Sequence, residues 1–187
     1  MSTKTNDYLY ELQEIPLSDA DILNSLPQNS KLIKYENLEN YNTIQQLLPN
    51  KLDFCVLFFE RKENEGHWCC ILRQNNVIEF FDPLGLRPDK QLLFTPKYLR
   101  KELNQDFPHL SRLLNKAVDD GFDVIFNSVK YQKEAQGINT CGRHVLCRII
   151  YMLNNPNSTA DDYKRFMDEK SRNYGLNHDL VVSRLTE

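Results

Sequence analysis

Three apolar runs in the middle of the chain restrict its fold more than any other feature. Residues 54–59, 67–72 and 77–81 are rich in Phe, Val, Ile, Cys and Trp, and polar turn residues separate them. Apolar and polar positions barely alternate within the runs, so each strand is expected to be covered on both faces. Neighbouring strands of this kind form a meander. A meander buried on both sides requires helices packed against it, and the flanking sequence has the pattern to supply them.

Ahead of the meander, Ser18 is placed to cap a short helix, with Asp21 reaching back to it from three residues on. Asn37 is expected to cap a second segment. There Leu38, Tyr41, Ile44, Leu47 and Leu48 recur at helical spacing until Pro49 ends the run. Beyond Pro96, the positions Leu110, Leu113, Leu114, Ala117 and Val118 make one apolar helix face, and Gly121 stops it. Residues 122–126 read as a fourth strand that can extend to Tyr131. Residues 145–153 are apolar nearly all round, which predicts a central buried helix. Two further helical stretches, 161–170 and 179–185, close the chain.

Composition sets the outer limits. With 187 residues, 41% of them hydrophobic and 26% charged, the chain has material for one domain with a real core. That domain is expected to span 1–187, with its ordered core at about 8–186. No stretch approaches the ~20 apolar residues of a membrane span. The first ten residues lack the apolar centre of a secretory signal, so the chain is expected not to be secreted. The formal net charge of −3 argues against a whole-molecule attraction to nucleic acid. Lys97, Arg100 and Lys101 make only a local basic patch. Five cysteines, an odd number, read as free thiols in a reducing compartment.

The second and third strands bring two chemical groups together. If Gln74-Asn75 is the turn, His67 lies opposite Asp82. If Asn75-Asn76 is the turn, Asp82 becomes a diagonal neighbour. In both registers the two side chains share a face, because strand side chains alternate with period two. A carboxylate there would fix the tautomer of His67 and stabilise its protonated form. Asp82 can equally serve only to cap the turn Asp82-Pro83-Leu84-Gly85.

A polar loop, residues 132–140, then delivers Cys141 to the first turn of the buried helix. A helix N-terminus stabilises a thiolate, and its free N–H groups can hold an oxyanion. Gly142 would let a substrate backbone approach closely. A nearby glutamine amide can add a second oxyanion donor. A buried structural thiol would fit the same position. Cys55, Cys70 and Cys147 lie in apolar runs and read as small hydrophobes, while Cys69 shares the face of His67. A zinc reading draws on Cys141, His144, His67 and Cys69, but no C-x-x-C pair supports it. His109 and His178 read as surface residues.

The ordered set His67-Trp68, Asp82-Pro83-Leu84-Gly85, a glutamine and Cys141-Gly142 resembles the cysteine protease clan of adenain and the ubiquitin-like-protein-specific proteases. The string from Thr140 to His144 is similar to the nucleophile motif of maturation proteases from virophages, Polinton-type elements and large DNA viruses. The likeness spans roughly residues 17–185. It implies an α+β, papain-like fold in permuted (adenain-type) order: a central, mostly antiparallel sheet packed on the buried helix that carries the nucleophile, with flanking helices. It implies a catalytic set of His67, Asp82, Gln132 and Cys141, with Trp68 and Gly142 binding substrate. In better-known members the glutamine lies at a spacing from the cysteine between those of Gln132 and Gln136. Gln132 is preferred here because it directly follows the fourth strand.

The activity so implied is a cysteine endopeptidase that cleaves capsid or other virion precursor proteins at Gly-containing, small-residue sites. It would work as a monomer in the virion and in the viral factory of the host cytoplasm. No cofactor or metal is expected. A peptide activator is compatible with the likeness, and the acidic balance argues against a DNA cofactor. The rival readings are a ubiquitin-like-protein deconjugating isopeptidase, an acyltransferase using the same triad, and a non-enzymatic or zinc-held binding module.

Overall fold

A computed structural model of the chain describes residues 3–62 and 65–187; the first two positions of the expected 1–187 domain lie outside it. In chain order the elements are α1 (Thr3–Glu14), α2 (Asp19–Asn24), β1 (Lys31–Lys34), a 3-10 helix (Tyr35–Asn40), α3 (Ile44–Leu47), β2 (Leu52–Lys62), β3 (Glu65–Gln74) and β4 (Val77–Phe81). A second 3-10 helix (Lys90–Phe94), α4 (Lys97–Glu102), α5 (His109–Asp119), β5 (Asp123–Phe126), α6 (Cys141–Asn154), α7 (Ala160–Tyr174) and α8 (His178–Leu185) follow.

The expected meander is β2-β3-β4, and its two junctions are antiparallel. β1 and β5 add to the two edges, both in parallel, so the five-stranded sheet is mixed. Parallel neighbours need crossover connections; here the segment with α3 and the segment with α4 and α5 provide them. The β3-β4 register pairs Gln74 with Val77 and Cys70 with Phe81, so the turn is Asn75-Asn76. Asn75 takes the positive φ of 54° that asparagine tolerates better than most residues.

Both sheet faces are covered, as the non-alternating runs require. On one face Val56, Trp68, Cys70, Leu72 and Phe81 pack against α6, with Val145, Leu146 and Ile149 in the same cluster. On the other, Cys55, Leu57, Cys69, Ile71 and Phe80 pack against Leu110, Leu113 and Ala117 of α5 and against Tyr35 and Leu38. Val118, expected on the α5 core face, is 55% exposed. The buried helix also holds a charge: Arg148 makes a two-pronged bond to Glu79 of β4, at 3.1 and 2.5 Å, and ties α6 to the sheet.

Several local readings need correction. Ser18 and Asp21 do form a capping box at α2. Asn37, by contrast, caps nothing: residues 31–34 form an edge strand, a 3-10 turn follows, and Thr43 caps the short α3. β1 escaped notice because its four residues, Lys31-Leu32-Ile33-Lys34, hold only two apolar ones. The fourth strand stops at Phe126, so irregular backbone separates it from Gln132. α1 was not anticipated; its Leu9 is buried, and Gln13 O accepts from Asn139 N at 2.8 Å. His109 is buried against Tyr35 rather than at the surface. His178 is half-buried and pairs with Asp168 at 3.3 Å. Among the described residues, no helix is long and apolar enough to cross a membrane.

Candidate active site

The strand ends of β3 and β4 and the start of α6 gather three of the singled-out side chains. His67 leaves the start of β3 and Asp82 follows the end of β4, on the shared face that the hairpin register dictates. His67 Nε2 lies 2.8 Å from Asp82 Oδ1, and both residues are buried. The Cys141 side chain, in the first turn of α6, lies beside the same imidazole and couples to it electrostatically.

Asp82 is held on every side. Its Oδ1 also accepts from Leu84 N, so it caps its turn while it faces His67. The two sequence readings of Asp82 are therefore compatible. Its Oδ2 accepts from Gln91 Nε2 at 2.7 Å, and Asn127 brackets its backbone with bonds of 2.8 and 2.7 Å. Gly85 closes the turn at φ +70°, and a Cβ there would stand 2.9 Å from Val129 O. Gln91 and Asn127 were missed in the sequence. Both are isolated amides, Gln91 in a short 3-10 helix and Asn127 just past β5, with no periodicity to flag them.

Charge is arranged to favour a thiolate and an imidazolium. Burial alone works against a charged His67. The Asp82 carboxylate and the Cys141 sulfur overcome it and raise the pKa to about 9. Burial likewise works against a Cys141 thiolate. The hydrogen bond and charge of His67, with the backbone N–H groups of Trp68 and Gly142, overcome it and hold the thiol below its ordinary pKa. The other four cysteines go the opposite way. Burial pushes Cys55 and Cys147 up to about 12, and Cys69 and Cys70 well above the usual thiol range.

A second imidazole–carboxylate pair lies behind the nucleophile. Asp179 Oδ1 accepts from Thr140 Oγ1 at 2.5 Å and from His144 Nε2 at 3.1 Å, while Oδ2 accepts from Lys133 N at 3.0 Å. Thr140 is the residue before α6, and its hydroxyl does not cap the helix. The first N–H groups of α6 thus keep no acceptor within the helix and face the thiol end of the site. Burial lowers the His144 pKa more than Asp179 raises it, so this imidazole is neutral.

Gln132 is buried and lines a cleft with His67 and Cys141. Its Nε2 makes only a 3.4 Å contact with Ile138 O, and its Oε1 has no partner. The segment is positioned by Pro83 O, which accepts from both Tyr131 N and Gln132 N at 2.9 Å. Gln136 lines the same cleft from an exposed position.

Trp68 is buried, with its Nε1 donating to Leu17 O at 3.1 Å and its ring on Phe58. Gly142 also answers a demand of packing. A Cβ there would meet Leu17 at 3.1 Å and Trp68 at 3.2 Å, so the missing side chain makes room for the protein's own packing. Cys141 sits between two cleft halves. The larger, about 910 Å³, is lined by Trp68, Phe58, Phe94 and Tyr98. The smaller, about 360 Å³, holds His67 and Gln132.

The four groups of the zinc reading are not assembled, because His144 turns to Asp179. His67, Cys69 and Asp82 do offer ligand atoms within 4.8 Å of one another. The Cys69 thiol there is strongly protonated by burial, which opposes metal ligation.

The fold belongs to a known class. Among solved structures, the ASFV pS273R protease superposes with a TM-score of 0.54 at 13% identity, covering 94% of this chain and 68% of that one. Its selenomethionine form gives 0.50 at 14% identity over the same shares. The fold is therefore the adenain-like cysteine protease fold that the motif order implies. No family model matches the chain. It is 35% identical over 175 residues to Uncharacterized protein V9 of Sputnik virophage, covering 93% of this chain and 95% of that protein. The chain belongs to the family of that virophage protein.

Proposed function

We propose that the chain is a cysteine endopeptidase that matures virion precursor proteins. The observation that carries this reading is the placing of Cys141, at the N-terminus of α6, in one cleft with His67, which is itself bonded to Asp82, and Cys141 is the one thiol among the five held below its ordinary pKa. The Cys141 thiolate attacks the scissile carbonyl carbon. The backbone N–H at the start of α6 and the Gln132 amide hold the oxyanion. His67 gives its proton to the leaving amine as the C–N bond breaks, and a thioester remains on Cys141. Water then attacks the thioester, His67 takes its proton, and the thiolate leaves. Asp82 orients His67 and stabilises its charge. The thiolate, base and oxyanion donors all come from this chain, so the mechanism requires no cofactor.

Small residues flank the cleaved bond in this reading. Cys141 is only 8% exposed, and Gly66 and Asn139 stand with it where the two cleft halves meet. Glycine on the substrate gives the backbone room to reach the sulfur. Membership in a virophage family, with the fold of a viral protease, supports virion precursors as substrates and the infected cell and particle as the place of action.

The test is cleavage of purified virion precursors and of Gly-containing peptides by the wild type and Cys141→Ala. Cleavage at Gly-containing sites that Cys141→Ala abolishes while folding normally is the expected result. Undiminished cleavage by Cys141→Ala would refute the mechanism. Hydrolysis only of a ubiquitin-like C-terminal reporter would move the assignment to a deconjugating isopeptidase.

A further inference from the structure

We propose that Arg61 binds a carboxylate of the substrate close to the scissile bond, making an acidic residue there part of the site's specificity. The proposal rests on the protease reading above and deepens it.

Arg61 lines both halves of the cleft, a property it shares with Gly66, Asn139 and Cys141. A chain passing over the sulfur therefore passes the guanidinium as well. The group is held in place without being neutralised. Its Nη2 donates to Gln91 Oε1 at 2.6 Å, and its plane lies 4.7 Å from the Phe94 ring centroid. Both partners are uncharged. Among the described residues no carboxylate pairs with it, and its buried Nε has no acceptor. The other cation of the larger half, Lys62, is paired with Glu65 at 2.7 Å. A guanidinium offers five donors in a rigid fork that matches a carboxylate in two-pronged fashion. Here most of that fork is unused, beside the nucleophile.

Gln91 explains why the charge stays available. Its amide stands between Arg61 and Asp82, taking Nη2 of the one on Oε1 and giving Nε2 to Oδ2 of the other. Asp82 is thereby reserved for His67, and Arg61 is left for an incoming anion. A bound carboxylate would pull on the same amide that fixes the carboxylate of the triad, so substrate charge and His67 orientation are mechanically linked.

Two alkylating reagents of similar size test this at the sulfur itself. Iodoacetate carries the carboxylate and iodoacetamide does not. Site-resolved rates at Cys141 are measured for the wild type, Arg61→Gln and Arg61→Lys, with far-UV circular dichroism as the folding check. His67 attracts anions in all three, so the change between variants carries the test. The expected result is an iodoacetate-to-iodoacetamide rate ratio that falls about tenfold in Arg61→Gln, is mostly retained in Arg61→Lys, and shrinks with added salt. Peptides with small residues flanking the cleaved bond and Glu at the second position on either side should show a matching preference over their Gln counterparts, lost in Arg61→Gln. A ratio unchanged in Arg61→Gln would overturn the proposal. If Cys141 reacts with neither reagent faster than the buried cysteines do, the protease reading fails first.

Discussion

Two buried histidine–aspartate pairs flank the start of α6, and they behave in opposite ways. His67–Asp82 spans 2.8 Å and His144–Asp179 spans 3.1 Å, and all four residues are buried. Yet His67 is raised to about 9 while His144 is lowered. The difference lies in the third partner. His67 faces the Cys141 sulfur and keeps a net reason to be charged. The Nδ1 of His144 has no hydrogen-bond partner, so Asp179 alone works against the cost of burying its charge. An imidazole and a carboxylate make a base only where a nucleophile and an opening join them. Elsewhere the same pair is a brace.

The comparison can be broken most sharply by exchanging the damage. His67→Ala should lower kcat by about 10³-fold or more in peptide hydrolysis. His144→Gln should keep kcat within about tenfold per folded molecule, since a brace acts through position rather than proton transfer. An equal loss from both variants would erase the distinction.

Next in size is the glutamine whose neighbour Asp179 holds. Gln132→Ala should cost about 10²-fold in kcat, the usual penalty for one oxyanion donor, and Gln136→Ala much less. The reverse ranking would move the oxyanion role to the exposed residue.

Asp179→Asn then sharpens the contrast with Asp82. It weakens the charge-assisted bonds to Thr140 and Lys133 and should lower the unfolding free energy by about 2–3 kcal/mol, read from urea titration. Asp82→Asn should instead act mainly on turnover, by about 10²–10⁴-fold.

The smallest effect is in stability against pH. Folding raises the pKa of His67, so its contribution is fully present below its unfolded value of 6.5 and is lost as pH rises through about 9. Folding lowers the pKa of His144, so the unfolded chain takes up a proton below 6.5 that the folded chain refuses, and acid destabilises. Thermal midpoints across this range should lose their alkaline slope in His67→Ala and part of their acid slope in His144→Gln. Identical slopes in both variants would contradict the assignment of charge states.

The His67–Asp82 pair was legible because strand alternation is strict. Any two-residue turn between β3 and β4 puts His67 and Asp82 on one face, whereas a three-residue turn would have put them on opposite faces; the observed pairing of Gln74 with Val77 decides it. The buried α6 was legible from its apolar run. The brace was not. Asp179 is far from His144 in sequence, and no local pattern joins them. Gln91 and Asn127 hold Asp82 through tertiary contacts, from a short 3-10 helix and from the loop after β5, and neither segment is long enough to carry a period to read. The edge strand β1 hid for a related reason: four residues, two of them lysines, owe their strand state to β2 beside them rather than to their own propensity.

The central claim is that Cys141 and His67 form a thiolate–imidazolium pair. The most direct measurement is the rate of Cys141 alkylation by iodoacetamide across pH, resolved from the other four cysteines, in the wild type and in His67→Ala. The account predicts fast labelling of Cys141 well below the ordinary thiol range near 8.5, and a return to that range in His67→Ala. Labelling of Cys141 as slow as that of Cys55 and Cys147, or a profile indifferent to His67→Ala, would contradict it.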